Sequence, residues 1–129
     1  MKKQIRISDS EWHIMRVLWD HPSITSGDVY SKLSPSLEWS QKTVNTFLAR
    51  LESKGIITAD KIGRLKHYSA CLTESECQKH ESEFFLKKVF RGKASAALLH
   101  FVKREDLTDA DIEVLRKLIN QPKSKSDED

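Results

Sequence analysis

The segment Trp39 to Gly55 constrains this chain more than any other, because it reads as a helix with defined ends and two unlike faces. Ser40 can accept a hydrogen bond from an unpaired first-turn N–H, which marks the start. Gly55 can turn left-handed without a Cβ clash, which marks the stop. Val44, Phe47, Leu48 and Leu51 recur at i, i+3, i+4 and i+7 and form one apolar stripe. Lys42, Thr43, Asn45, Thr46, Ala49 and Arg50 occupy the opposite and flanking positions, two cations and short side chains without an acid. A face built only for solubility mixes both charge signs. This one suits an anionic partner.

The charge distribution points the same way. Up to Leu72 there are eleven Lys/Arg against seven Asp/Glu, a balance of +4. From Thr73 onward there are eleven against twelve, a balance of −1. The basic excess therefore travels with the helix just described. A chain of 129 residues makes one ordinary domain, or two small units sharing a core. Cys71 and Cys77 have no framework spacing, and neither a signal peptide nor a long apolar run appears. A reduced, soluble, cytoplasmic protein without membrane insertion is expected.

Met1 to Ile7 reads as a short arm or edge strand. Ser8-Asp9-Ser10-Glu11 is a capping box that opens a first helix with Trp12, Ile14, Met15, Val17, Leu18 and Trp19 on its apolar face. Asp20-His21-Pro22 ends it. Thr25-Ser26-Gly27-Asp28 repeats the capping pattern before a shorter helix carrying Val29 and Leu33, which Ser34-Pro35-Ser36 breaks. The Trp39 to Gly55 helix is then the third. After it the period changes, and Ile56–Ala59 and Leu65–Ser69 read as two short strands around a turn at Lys61-Ile62-Gly63-Arg64. Three helices and a two-stranded ribbon make a winged helix-turn-helix, with the third helix in the major groove and the ribbon beside the phosphates. Winged helices also serve as plain protein-docking modules. The acid-free helix face combined with a basic ribbon favours DNA.

Thr73-Glu74-Ser75-Glu76 caps a fourth helix running to about Phe90, with Cys77, Phe84, Phe85 and Val89 as its apolar residues. Ala94 to Val102 offers Ala97, Leu98, Phe101 and Val102 for packing. Thr108-Asp109-Ala110-Asp111 caps a last helix with Ile112, Leu115, Leu118 and Ile119 on one face. Pro122 to Asp129 reads as a disordered polar tail. The expected organisation is mainly α: a winged-helix DNA-binding domain over residues 1–72, a three-helix dimerisation region over 73–121, and the tail over 122–129. Three amphipathic helices of this size bury too little to fold alone. They either pad the first-half core in a monomer or pair with a second copy. A homodimer is preferred, because it presents two reading helices to a two-fold site.

Base reading is assigned to Lys42, Thr43, Asn45 and Thr46. Asn can bond bidentately to adenine, Lys can reach guanine acceptors, and Thr methyls can touch thymine. Ser40, Arg50 and the wing residues Lys61, Arg64 and Lys66 are assigned to the DNA backbone.

The run Glu11-Trp12-His13-Ile14-Met15-Arg16-Val17-Leu18-Trp19, the segment Trp39 to Leu51 with Lys54-Gly55, and Leu98-Leu99-His100-Phe101-Val102 with Glu105-Asp106-Leu107 together resemble the BlaI/MecI penicillinase-repressor family. The resemblance spans Ser8 to Asn120. It implies a homodimeric repressor, with an N-terminal winged helix and a C-terminal dimerisation region, on an inverted-repeat operator controlling a β-lactam or other stress or resistance operon. It further implies induction by a membrane sensor-transducer whose metalloprotease domain triggers cleavage of the repressor. The matching pair is His100–Phe101, where the family pattern has Asn before Phe. Related copper-responsive repressors end in paired Cys-x-Cys motifs, and no cysteine follows Leu118 here.

Two other classes of function are set against this reading. An enzyme would need a nucleophile or acid–base pair, but His13, His21, His67, His80 and His100 join no local pattern and no Gly-rich phosphate loop exists. A metal sensor could use Cys71, Cys77 and His80, the last two lying i, i+3 on one helix. A buried cysteine and a surface histidine explain those residues equally, and neither metal nor cofactor is expected.

Overall fold

The computed structural model describes residues 5–103 and 106–121. Met1 to Gln4 of the expected arm, and the tail from Pro122, lie outside the described residues. Ile5 to Ile7 form no strand, and Ile7 is buried in the core.

Among the described residues, hydroxyl caps start five of the six helices. Ser8 Oγ accepts from Glu11 N at the head of α1 (Asp9–Asp20), and the Glu11 carboxylate accepts from Ser8 N in return. Thr25 caps α2 (Ser26–Leu33) through Asp28 N, and Ser40 caps α3 (Gln41–Ser53) through Thr43 N. Thr73 and Glu76 form the reciprocal box of α4 (Glu74–Phe90), as Thr108 and Asp111 do for α6 (Asp109–Asn120). Between them, α5 (Ala94–Val102) starts behind Lys93 without a side-chain cap. Gly55, at φ 79°, closes α3 in the left-handed region.

The sheet has three strands rather than the two expected. The strand β1 (Ile24–Thr25) pairs antiparallel with β3 (Leu65–Ala70), which pairs on its other side with β2 (Ile57–Ile62), giving the order β1-β3-β2. Two residues are too few to show a period of two, so β1 left no signal in the sequence. The wing turn is also tighter than expected. Lys61 and Ile62 belong to β2, and only Gly63 and Arg64 remain in the turn, with Gly63 at φ 66°. Glycine at the first of two central positions is the signature of a tight hairpin turn whose twist matches the strands.

The chain divides into two compact units, Met1–Phe85 and Leu86–Asp129. In the first, α1, α2 and α3 close over the sheet in winged-helix order. Ile14, Met15, Leu18, Val29, Val44, Leu48, Leu51 and Ile56 fill the core. The start of α4 docks there through buried Cys77, and the Trp19 indole donates to the Leu72 carbonyl at 2.9 Å. Glu11 is the one buried charged side chain among the described residues, 1 % exposed, and its Oε1 lies 2.7 Å from Lys54 Nζ at the end of α3. Lys54 Nζ also donates to the Arg6 carbonyl at 3.0 Å, tying the arm to both helices. In the second unit Ala97 is buried, and an apolar groove is lined by Leu98, Val102, Leu107, Ile112, Leu115 and Ile119.

Candidate nucleic-acid interface

Trp39 anchors the start of α3. Its ring lies 5.1 Å from Phe47 and meets His13 of α1 edge-on at 5.8 Å. With Val44, Leu48 and Leu51 wholly buried, the opposite face of α3 has one available orientation, outward. Lys42, Asn45, Thr46, Ala49 and Arg50 are all exposed on it, while Thr43 is half-buried.

These side chains are not equally available. Thr43 Oγ1 and Ser40 Oγ share a hydrogen bond at 3.1 Å, so Ser40 is engaged first as a cap. Thr46 Oγ1 donates to the Lys42 carbonyl one turn back at 3.0 Å, leaving its methyl as the outward feature. Arg50 lies over the Phe47 ring at 5.6 Å, a cation–π contact that steadies the guanidinium.

Gln41 was absent from the residues assigned on sequence. Its Nε2 donates to Asn45 Oδ1 at 3.0 Å and to the Ser26 carbonyl at 3.1 Å. It therefore orients Asn45 and joins the first turns of α2 and α3. The Gln41–Asn45 spacing of four residues on one helix was a usable signal.

The wing carries three cations of unlike circumstance. Strand alternation places paired Lys61 and Lys66 on the face that also bears Ala59 and Tyr68. Lys66 bridges Glu52 of α3 at 3.4 Å, and Tyr68 followed by Glu52 holds its ammonium above the usual lysine range. Glu52 is thus the acid of α3 that faces the wing rather than the open face. Arg64 stands exposed in the turn. Asn45, Arg64, Leu65 and Lys66 line one shallow cleft with Thr25, Ser26 and Gly27 at the head of α2. Reading helix, wing and a second helix start converge there.

Among the residues assigned to pairing, Phe84 is half-buried within the first unit under the Arg6 guanidinium, 4.0 Å from its ring centroid. Phe85, Val89, Leu98, Phe101, Val102, Ile112, Leu118 and Ile119 are exposed, and Leu115 is half-buried. His100 and Phe101 lie inside α5, their rings 5.6 Å apart.

Cys71 is exposed, whereas Cys77 is buried, its thiol pushed up to about 11 by burial and then by Glu76. Cys77 packs in the core of the first unit. Among the described residues no group of three His, Cys, Asp or Glu side chains is placed to hold a metal ion, and no helix is long and apolar enough to cross a membrane.

The penicillinase repressor family model matches residues 7–121. The chain is 34% identical over 128 residues to the penicillinase repressor of Bacillus licheniformis, covering 99% of this chain and all of that one. It is 31% identical over 119 residues to the methicillin resistance regulatory protein MecI of Staphylococcus aureus, covering 92% and 97%. The solution structure of the DNA-binding domain of the repressor BlaI superposes with TM-score 0.53 at 42% identity, over 59% of this chain and 93% of that one. Monomeric Bacillus licheniformis BlaI in complex with the blaP half-operator gives 0.51 at the same identity and coverage. The chain therefore belongs to the penicillinase repressor family, whose members are winged-helix transcriptional repressors and not enzymes.

Proposed function

We propose that this protein is a sequence-specific transcriptional repressor that binds an inverted-repeat operator as a homodimer. The observation that carries the reading is the open, acid-free face of α3, bordered by the cleft that brings Asn45 beside Arg64 and Lys66. A relative solved on a half-operator supports DNA as the partner. In this reading Lys42, Thr43, Asn45 and Thr46 meet base edges in the major groove. Ser40, Arg50, Lys61, Arg64 and Lys66 hold phosphates. The exposed apolar residues of α5 and α6 receive a second copy, within a pairing region over 73–121 that follows a DNA-binding domain over 1–72. The regulated genes are proposed to be a β-lactam or other resistance operon, by kinship with the penicillinase and methicillin-resistance regulators.

Induction is proposed to pass through a membrane sensor-transducer or protease. His100–Phe101, the proposed cleavage point, sits in helical backbone, so α5 must open locally before the bond can enter an extended-chain protease groove.

Selecting duplexes from a random-sequence pool with the full-length protein tests the reading directly. Asn45→Ala is expected to weaken binding to the selected site by about 1–3 kcal/mol and to relax preference at the contacted position. Unchanged affinity and preference would remove Asn45 from the reading set. Arg64→Ala should weaken binding to all sequences alike and lower the salt slope by about one unit. A salt slope equal to that of the parent protein would place Arg64 off the DNA.

A further inference from the structure

The wing tip is apolar on one side. Ile62 and Leu65 pair directly across the two-residue turn, and they are 58 % and 59 % exposed. Alternation along the strands turns them to the face opposite Lys61, Lys66 and the core-facing Tyr68. One step further back on their own face stand Asp60 and His67. Two large aliphatic side chains at the end of a hairpin contribute little to the fold, which has its core elsewhere. An ordinary wing that only held phosphate would carry polar residues there.

The surroundings select the partner. From Lys61 to Lys66 there are three cations and no acid. Leu65 and Arg64 line the same cleft as Asn45, so the tip is continuous with the face of α3 that meets bases in the proposed function. The surface that fits has an anionic rim and an apolar floor. The DNA minor groove has phosphates along its edges and deoxyribose along its walls, and proteins that bind it insert aliphatic side chains there. The three cations of the tip segment match that rim, which another protein's apolar patch does not supply.

We propose that Ile62 and Leu65 make a nonpolar contact with deoxyribose in the minor groove beside the segment read by α3, so that the wing senses groove shape as well as charge. The inference rests on the DNA-binding reading above and adds a shape-dependent term to it. An uncharged contact releases no counterions, which gives it a signature distinct from that of Arg64.

The test uses the full-length protein and the duplex that it selects. Ile62→Thr with Leu65→Thr keeps strand propensity and removes apolar area. The expected result is about tenfold weaker binding with an unchanged salt slope and an unchanged melting temperature. Ile62→Val with Leu65→Ile should retain most of the affinity. Binding equal to the parent would overturn the proposal. So would a lowered salt slope, which would mean that the pair only positions Arg64, or a changed oligomeric state in sedimentation, which would mean that it meets another copy. A chain that selects no sequence removes the DNA reading itself. Selection that depends on Lys42 and Asn45 but not on the wing pair removes this inference alone.

Discussion

Lys54→Met should destabilise the protein by about 2–3 kcal/mol at neutral pH. Loss of one partner from a fully buried pair costs about 3–5 kcal/mol, and Lys54 is discounted because its side chain is 39% exposed. The variant would leave Glu11, 1 % exposed, with the Ser8 N–H but without its cation. The effect has a pH signature. In the parent, burial alone would raise the Glu11 pKa, but the Lys54 ammonium and the Ser8 hydrogen bonds outweigh it and hold the carboxyl below its ordinary value of 4.5. A carboxyl lowered by folding contributes stability above its unfolded value, and that contribution is lost as pH falls through the folded value. Without Lys54 the largest of the lowering causes is lost and the folded value rises. The variant is then penalised most at neutral pH, and the penalty shrinks on acidification as Glu11 takes up a proton. Urea melts of both proteins between neutral pH and about 4 should therefore converge. A gap that stays constant with pH would show that Lys54 contributes through its methylenes rather than its charge.

Leu118→Asp combined with Ile119→Asp should abolish pairing while leaving each protomer folded. Both residues are more than half exposed in the single chain, at 57% and 67%, so the change costs the isolated protomer little. In a dimer built on this face, four carboxylates would be buried without partners, each at a cost of several kcal/mol. Coupling two half-sites through a dimer raises affinity by roughly 10²–10⁴ over one half-site. The variant is therefore expected to sediment as a monomer, to lose about that factor on the full operator, and to bind a half-operator as the parent does. A variant that remains dimeric would move the interface off α6. Loss of half-operator binding as well would mean that α6 supports the winged helix directly.

Local signals carried most of the fold. The capping pairs Ser8/Glu11, Thr73/Glu76 and Thr108/Asp111 set helix starts because hydroxyl and carboxylate act within a single turn. The stripe Val44, Phe47, Leu48 and Leu51 likewise marks the inward side of α3, with Phe47 half-buried and the other three buried. What escaped was set by long-range partners. The strand β1 forms because β3, more than 40 residues later in the chain, offers an edge to Ile24 and Thr25. Nothing local marks Lys54 as half of a buried pair, since its partner Glu11 lies 43 residues away. On sequence, Lys61, Arg64 and Lys66 formed one phosphate-holding group. Strand register and Glu52 divide them, and register follows from where the turn closes, which one glycine decides.

The Gln41 amide has a consequence for altering what this protein recognises. It grips Asn45 on one side and the backbone of α2 on the other. A library that randomises position 45 alone keeps a donor aimed at an oxygen that most replacements lack. Retargeting the helix therefore means varying positions 41 and 45 as a couple, and drift in this lineage should have moved them together.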